Sequence, residues 1–224
     1  MFKLSKAQIK RRLKRLFAGL YRIKLKNRDF SILSNNCWGG VLYDKYGLPY
    51  KTPTIGLWIP PADFVRFLAN LDYYSNVAVE RISYKESHVV TLLEERKNHG
   101  RYKLDLNDLI IGRIDDVDLI FVHYKSFEDA KNKWEKRIKR INKNNILVKM
   151  NDQNGCTETD FKDFLALSYK NKIFFTGNPQ WRGPGVLFLT QYEKEGYVLS
   201  DTAYGDVPIN TTELLNSMEC ERKL

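Results

Sequence analysis

Cys37, His123 and Asp152 each stand at or just past the end of a run of strand-forming residues: Asp29 to Ser34, Val117 to His123 and Ile146 to Met150. If those runs are parallel strands of one sheet, the residues beyond their carboxyl ends meet along one edge. Open α/β sheets hold their ligands at that edge. A thiol, an imidazole and a carboxylate gathered there suit nucleophilic chemistry, with Cys37 as nucleophile, His123 as general base and Asp152 orienting the imidazole. The reaction this implies is acyl transfer or hydrolysis. The spacing also starts a helix near Gly39, so free backbone N–H groups and the helix dipole would favour a Cys37 thiolate. Gly39 and Gly40 would leave N–H groups open to an oxyanion, and Asn35 or Asn36 could add a side-chain donor. Trp38, Tyr124 and Lys125 flank the same two strand ends and are the remaining expected substrate contacts. Each residue also has a plainer reading. A cysteine is often a small buried residue, an Asn before a helix is often its cap, and Asp152 suits a turn in Asn151 to Gly155.

Other chemistry is less well represented. Asp116-Val117-Asp118 has the short acidic pattern of metal-dependent glycosyltransferases, but it begins a strand instead of ending one. His88 and His99 have no ligand set beside them in sequence, and Cys156 and Cys220 carry no motif. There is no phosphate-binding glycine loop, no G-x-G-x-x-G and no H-E-x-x-H. No cofactor and no bound metal are therefore expected. Three scattered cysteines make no disulfide framework, which points to a reducing cytoplasm. No window approaches the ~18 apolar residues of a membrane-spanning helix.

The elements that must position these groups alternate between strand-like and helix-like runs, the pattern of an α/β fold with an open, mainly parallel sheet flanked by helices. Strands are expected at 29–34, 54–59, 77–84, 117–123, 146–150 and 172–176, with a terminal hairpin made by 186–191 and 197–200. Helices are expected at 39–46, 60–74, 126–142, 157–167 and 211–220. Ser126 and Thr157, each followed three residues later by Asp, are capping signals. Residues 77–115 give no clear pattern, and 89–97 could be either helix or strand.

The formal charge of +10 is concentrated. Residues 1–28 hold eleven of the 37 basic residues and no acid, leaving 26 basic against 27 acidic in the rest. Phe2, Ile9, Leu13, Leu16, Leu20 and Ile23 share a helical face, with Phe17 at its edge. The segment reads as a basic amphipathic helical arm beside a single α/β domain over 29–224. Lys10, Arg11, Arg12, Lys14 and Arg15 would meet an anionic membrane surface. The alternatives are a stripe packed on the protein's own domain or an arm on nucleic-acid phosphate, the latter the least expected.

FSILSNNCWGG (Phe30 to Gly40), GLPYKTPTIGLWIPPADFVRFLANLDYY (Gly47 to Tyr74), FVHYKSFEDAKNKWEKRIKRIN (Phe121 to Asn142), the strand before Asn151-Asp152 and KIFFTG (Lys172 to Gly177) resemble the bacterial DUF1919 family. Its members are often labelled exopolysaccharide biosynthesis proteins. The resemblance implies an α/β fold and an association with surface polysaccharide assembly, without an established reaction. Cys followed by His also makes the chain distantly similar to papain-like cysteine peptidases. Together these readings point to a cytoplasmic enzyme, peripheral on the inner face of the membrane, acting on a glycan or lipid-linked sugar. A non-catalytic glycan-binding scaffold and a nucleotide-sugar-dependent glycosyltransferase are the alternatives. Substrate, donor and oligomeric state are not specified by the sequence.

Overall fold

Ser31–Ser34 (β1), Ile146–Asn151 (β6), Asn171–Thr176 (β7) and Val186–Phe188 (β8) lie side by side in that order, each pair parallel. Every residue of β1 and β6 is buried, as expected of strands covered on both faces. This computed structural model describes residues 17–99, 105–202 and 209–219.

The other four strands form a second sheet with antiparallel pairing. Leu57–Trp58 (β2), Glu80–Ile82 (β3), Ile110–Ile114 (β4) and Val117–Phe121 (β5) are ordered β2-β5-β4-β3. The parallel arrangement thus holds for half of the strands. β4 falls in the stretch that sequence pattern left open. Asp115 and Asp116 form the two-residue loop joining it to β5, with Asp115 at φ 54°, the left-handed conformation that tight hairpins use. The apolar run of β5 fits a parallel centre strand equally well, because its two faces are covered by different clusters. Leu119 and Phe121 join the main core, while Ile120 packs with Trp58, Leu93, Leu106 and Ile111.

The expected hairpin over 186–200 does not form. β8 runs beside β7, and Gly185 makes this possible: it sits at φ +76°, where an added Cβ would lie 2.6 Å from the Lys172 carbonyl oxygen. Residues 197–200 form no strand.

Helices cover the sheets at 17–23 (α1), Trp38–Tyr46 (α2), Pro61–Ala69 (α3), Leu71–Tyr74 (α4), Val90–His99 (α5), Phe127–Ile138 (α6), Glu158–Ala166 (α7) and Thr211–Asn216 (α8). The expected helix over 60–74 is interrupted at Asn70. The Ser126 hydroxyl caps α6 by accepting from Asp129 N at 3.2 Å, and Thr157 with Asp160 forms a reciprocal capping box on α7. The main core joins both sheets: Leu33, Val148 and Phe174 from the first, Leu57, Leu119 and Phe121 from the second, with Phe67, Trp134 and Phe161 from the helices.

Most of the basic arm, including Lys10, Arg11, Arg12, Lys14 and Arg15, lies outside the described residues. Within α1, Ala18 is buried, and Arg22 donates to the Gly47 carbonyl. Phe17, Leu20 and Ile23 are 56, 60 and 74% exposed, so this portion of the apolar stripe is not packed on the domain. No helix among the described residues is long and apolar enough to cross a membrane.

Candidate functional site

Cys37 and His123 do reach one cleft, and the backbone explains how. Gly56 precedes β2 at φ +72°, and its carbonyl accepts the N–H groups of both Val122 and His123 at 3.0 Å. A Cβ on Gly56 would lie 3.1 Å from the Tyr124 ring and 3.3 Å from His123 Cβ, so glycine permits both the conformation and the approach. The next carbonyl, that of Leu57, accepts the Cys37 thiol at 3.7 Å. The result is a cleft of about 350 Å³ past the carboxyl ends of β1 and β6, lined by Asn36, Cys37, Trp58, His123, Gln153 and Asp201 among others. His123 belongs to the antiparallel sheet, so it arrives by a route different from the strand-end rule.

The surroundings of Cys37 do not favour a thiolate. Cys37 is the residue before α2, but burial is the dominant influence and pushes its thiol above the ordinary value. Asp201 acts in the same direction, whereas Lys149 and the backbone around Gly56 and Leu57 oppose it. His123 is exposed, and no hydrogen bond is made to its ring among the described residues.

Asp152 is placed elsewhere. One of its oxygens accepts from Thr176 Oγ1 at 2.7 Å and Gly177 N at 2.8 Å, and the other from Val198 N at 2.7 Å. Burial raises its pKa, and these three donors counter that effect. It ties the end of β6 to the end of β7 and to the segment after β8, and does not orient His123. It lines a second, larger cleft of about 780 Å³ with Asn154, Cys156, Asn178, Trp181 and Tyr197.

Of the expected substrate contacts, only Asn36 lines the cleft that holds Cys37 and His123. Trp38 is turned into the core, edge-on to Phe175 with ring centroids 5.5 Å apart. Gly39 donates its N–H to Ser34 Oγ at 3.1 Å, and Trp38 donates to Asn36 Oδ1 at 3.1 Å, so these two N–H groups are occupied and do not await an oxyanion. Gly39 and Gly40 instead let α2 approach Ile32 and Ile55, whose side chains would lie 3.0 Å from an added Cβ. Asn35 is fully buried, bonded through Nδ2 to Asn151 Oδ1 at 3.0 Å. The Tyr124 hydroxyl donates to the Ile55 carbonyl and accepts from Arg137 at 2.8 Å, and Lys125 is exposed.

Two residues at the cleft floor were not singled out from sequence. Lys149, on β6, is fully buried and ion-paired with Asp201, itself buried. The ammonium also donates to Asn36 Oδ1 at 3.2 Å and stands over the Phe175 ring, while Asp201 accepts from Asn36 and Asn151 at 2.8 Å each. Burial lowers the Lys149 pKa, and Asp201 opposes that effect. The available signal is the lone charge in ILVKMN, an otherwise uncharged strand, since a charge buried in a strand obliges a partner.

The acidic pattern at 116–118 is divided. Asp116 accepts from Tyr74 at 2.6 Å at the hairpin turn, whereas Asp118 stands in a cluster with the buried Asp63 and the exposed His88. Oxygen and nitrogen atoms of those three lie within 4.8 Å of one another, so His88 does have acidic neighbours, brought from α3 and β5. Both carboxylates are already engaged: Asp63 with Arg66 and the Asp118 N–H, Asp118 with Arg113, Ser87 and the His88 N–H. Two arginines against two carboxylates make this an ion-pair network.

A family model described as a domain of unknown function, DUF1919, matches residues 8–218. An uncharacterized protein of Haemophilus influenzae is 28% identical over 175 residues, which is 78% of this chain and 75% of that protein.

Proposed function

Because the chain belongs to the DUF1919 family, whose description states no activity, we propose a function from its own site: it binds a saccharide, free or lipid-linked, at the carboxyl edge of the parallel sheet. The setting we propose is bacterial cell-surface polysaccharide biosynthesis, in keeping with the common label of proteins in this family. The observation that carries the reading is the polar lining of the Cys37 cleft, which gathers the amides of Asn36 and Gln153, the hydroxyls of Ser200 and Thr202 and the Asp201 carboxylate beside a largely buried Trp58. Sugar hydroxyls donate and accept at once, which amides and carboxylates answer in pairs. Such recognition needs no nucleophile. It agrees with a thiol held protonated beside a carbonyl.

One observation favours a second reading, covalent acyl transfer: Cys37 and His123 line the same cleft. In that scheme His123 takes the thiol proton as Cys37 attacks an acyl carbonyl and gives it to the donor's leaving group as that bond breaks; a sugar hydroxyl, deprotonated by His123, then attacks the thioester and releases Cys37, which recovers the proton as a thiol. The two readings separate on Cys37→Ser. Saturation-transfer NMR with the methyl glycosides of glucose, galactose and N-acetylglucosamine is expected to detect binding by at least one. Its affinity should be unchanged within about twofold in Cys37→Ser, since removing a thiol that contributes no specific bond costs at most a few tenths of a kcal/mol. Absence of binding across the panel, or its loss in Cys37→Ser, contradicts non-covalent recognition.

A further inference from the structure

The larger cleft shares one wall residue with the smaller. Both are lined by Asn154, which stands in the turn after β6 at φ 64°. On the far side, the Trp181 ring lies flat on Phe161, with centroids 4.8 Å apart and an interplanar angle of 10°. Phe174 supports it from a third direction at 5.9 Å. With one face covered in this way, the surface Trp181 offers the cleft is the opposite face and rim of a rigid platform. Tyr197, 48% exposed, lines the same space, and its backbone position is fixed by the bond from the neighbouring Val198 N–H to Asp152. The Asn178 amide is the adjacent polar group.

We propose that this cleft is a second sugar subsite, continuous with the first across Asn154, and that the ligand is therefore an oligosaccharide spanning both. The inference rests on the saccharide reading above. The arrangement gives the second subsite an aromatic surface, Trp181 with Tyr197, beside the Asn178 amide, and leaves the amides of Asn36 and Gln153 to the first. The volumes, about 350 and 780 Å³, place the longer part of the ligand beyond Asn154.

The test compares single sugars with chains of the same sugar: methyl glucoside with cellotriose, methyl galactoside with galactotriose, and methyl N-acetylglucosaminide with chitotriose. Dissociation constants are measured by NMR titration on the full chain, its Trp181→Ala and Trp181→Phe variants, and Tyr197→Ser, which leaves the Phe161 stack intact. The expected result is a trisaccharide bound at least tenfold more tightly than its methyl glycoside. That advantage should be lost in Trp181→Ala and in Tyr197→Ser, retained in part in Trp181→Phe, and the methyl glycoside affinity should be unchanged throughout. Equal affinity for one ring and three in the parent chain overturns the second subsite while leaving the saccharide reading intact. So does a trisaccharide advantage that survives both Trp181→Ala and Tyr197→Ser. Failure of every sugar to bind overturns both.

Discussion

Lys149→Met is expected to lower stability by about 3–5 kcal/mol, the range seen when one partner of a buried ion pair is removed. The methionine fills the space of the lysine stem, so lost packing is a small part of the effect. The larger part is Asp201, which stays buried with its charge uncompensated. Asn36 loses a donor to Oδ1 at the same time, although Trp38 N still reaches that atom. For a chain of this length each kcal/mol moves the melting temperature by roughly 2–4 °C, so a fall of about 6–20 °C is expected in a thermal scan. Lys149→Met combined with Asp201→Asn should recover most of the loss, because no charge is then left unpaired and an oxygen remains for the Asn36 and Asn151 amides. A single variant within about 1 kcal/mol of the parent, or a double variant worse than the single, would show that the pair is not compensated as described.

Asp152→Ala is the second large effect, and it separates a structural from a catalytic aspartate. The substitution leaves Thr176 Oγ1, Gly177 N and Val198 N without their acceptor. Each buried donor left unsatisfied costs about 1–3 kcal/mol, so a total of 3 kcal/mol or more is expected from urea unfolding. Gly177 makes the loss hard to absorb. An atom at its Cβ position would meet the backbone of Tyr192 and Tyr197 at 2.7–2.8 Å, so the chain is already at closest approach there. Because Val198 is tied to the same carboxylate, Tyr197 should be released as the fold weakens, and amide exchange around 197–200 should rise before exchange in β6. Asp152→Asn, which keeps one carbonyl oxygen, should cost less than Asp152→Ala. If Asp152→Ala is as stable as the parent, the carboxylate does not hold the three segments together.

Local signals in the sequence translated well where one residue's chemistry decides one feature. Ser126 and Thr157 begin helices because each hydroxyl meets an N–H three residues on, a relation that sequence contains completely. The strand β6 and the start of α2 near Cys37 were legible from local pattern as well. What failed depended on partners far along the chain. Val117 to Phe121 has the same composition whether its neighbours are parallel or antiparallel, and only the pairing with Ile110–Ile114 settles the direction. Lys149 announced that it needed a partner, but Asp201 lies 52 residues away and nothing in either residue names the other. Asp152 was correctly placed at a strand end, yet which donors surround it depends on the route of residues 197–200, for which alternation suggested a strand that does not form. Cys37 and His123 converge through the Gly56 and Leu57 carbonyls, a contact no periodicity encodes.

The central claim is that the Cys37 cleft recognises its ligand with a resting thiol in place, and the pH dependence of Cys37 alkylation tests it most directly. A thiol raised by burial holds less thiolate at pH 7.5 than an ordinary cysteine, and only the thiolate reacts. Iodoacetamide modification of Cys37, located by mass spectrometry, should therefore be slower at pH 7.5 than that of an unstructured cysteine peptide. It should still be rising at pH 9 without a plateau, and be the same within about twofold in His123→Ala. Rapid modification at neutral pH that levels off below pH 8 and slows on removal of His123 would contradict the account and establish Cys37 as an activated nucleophile.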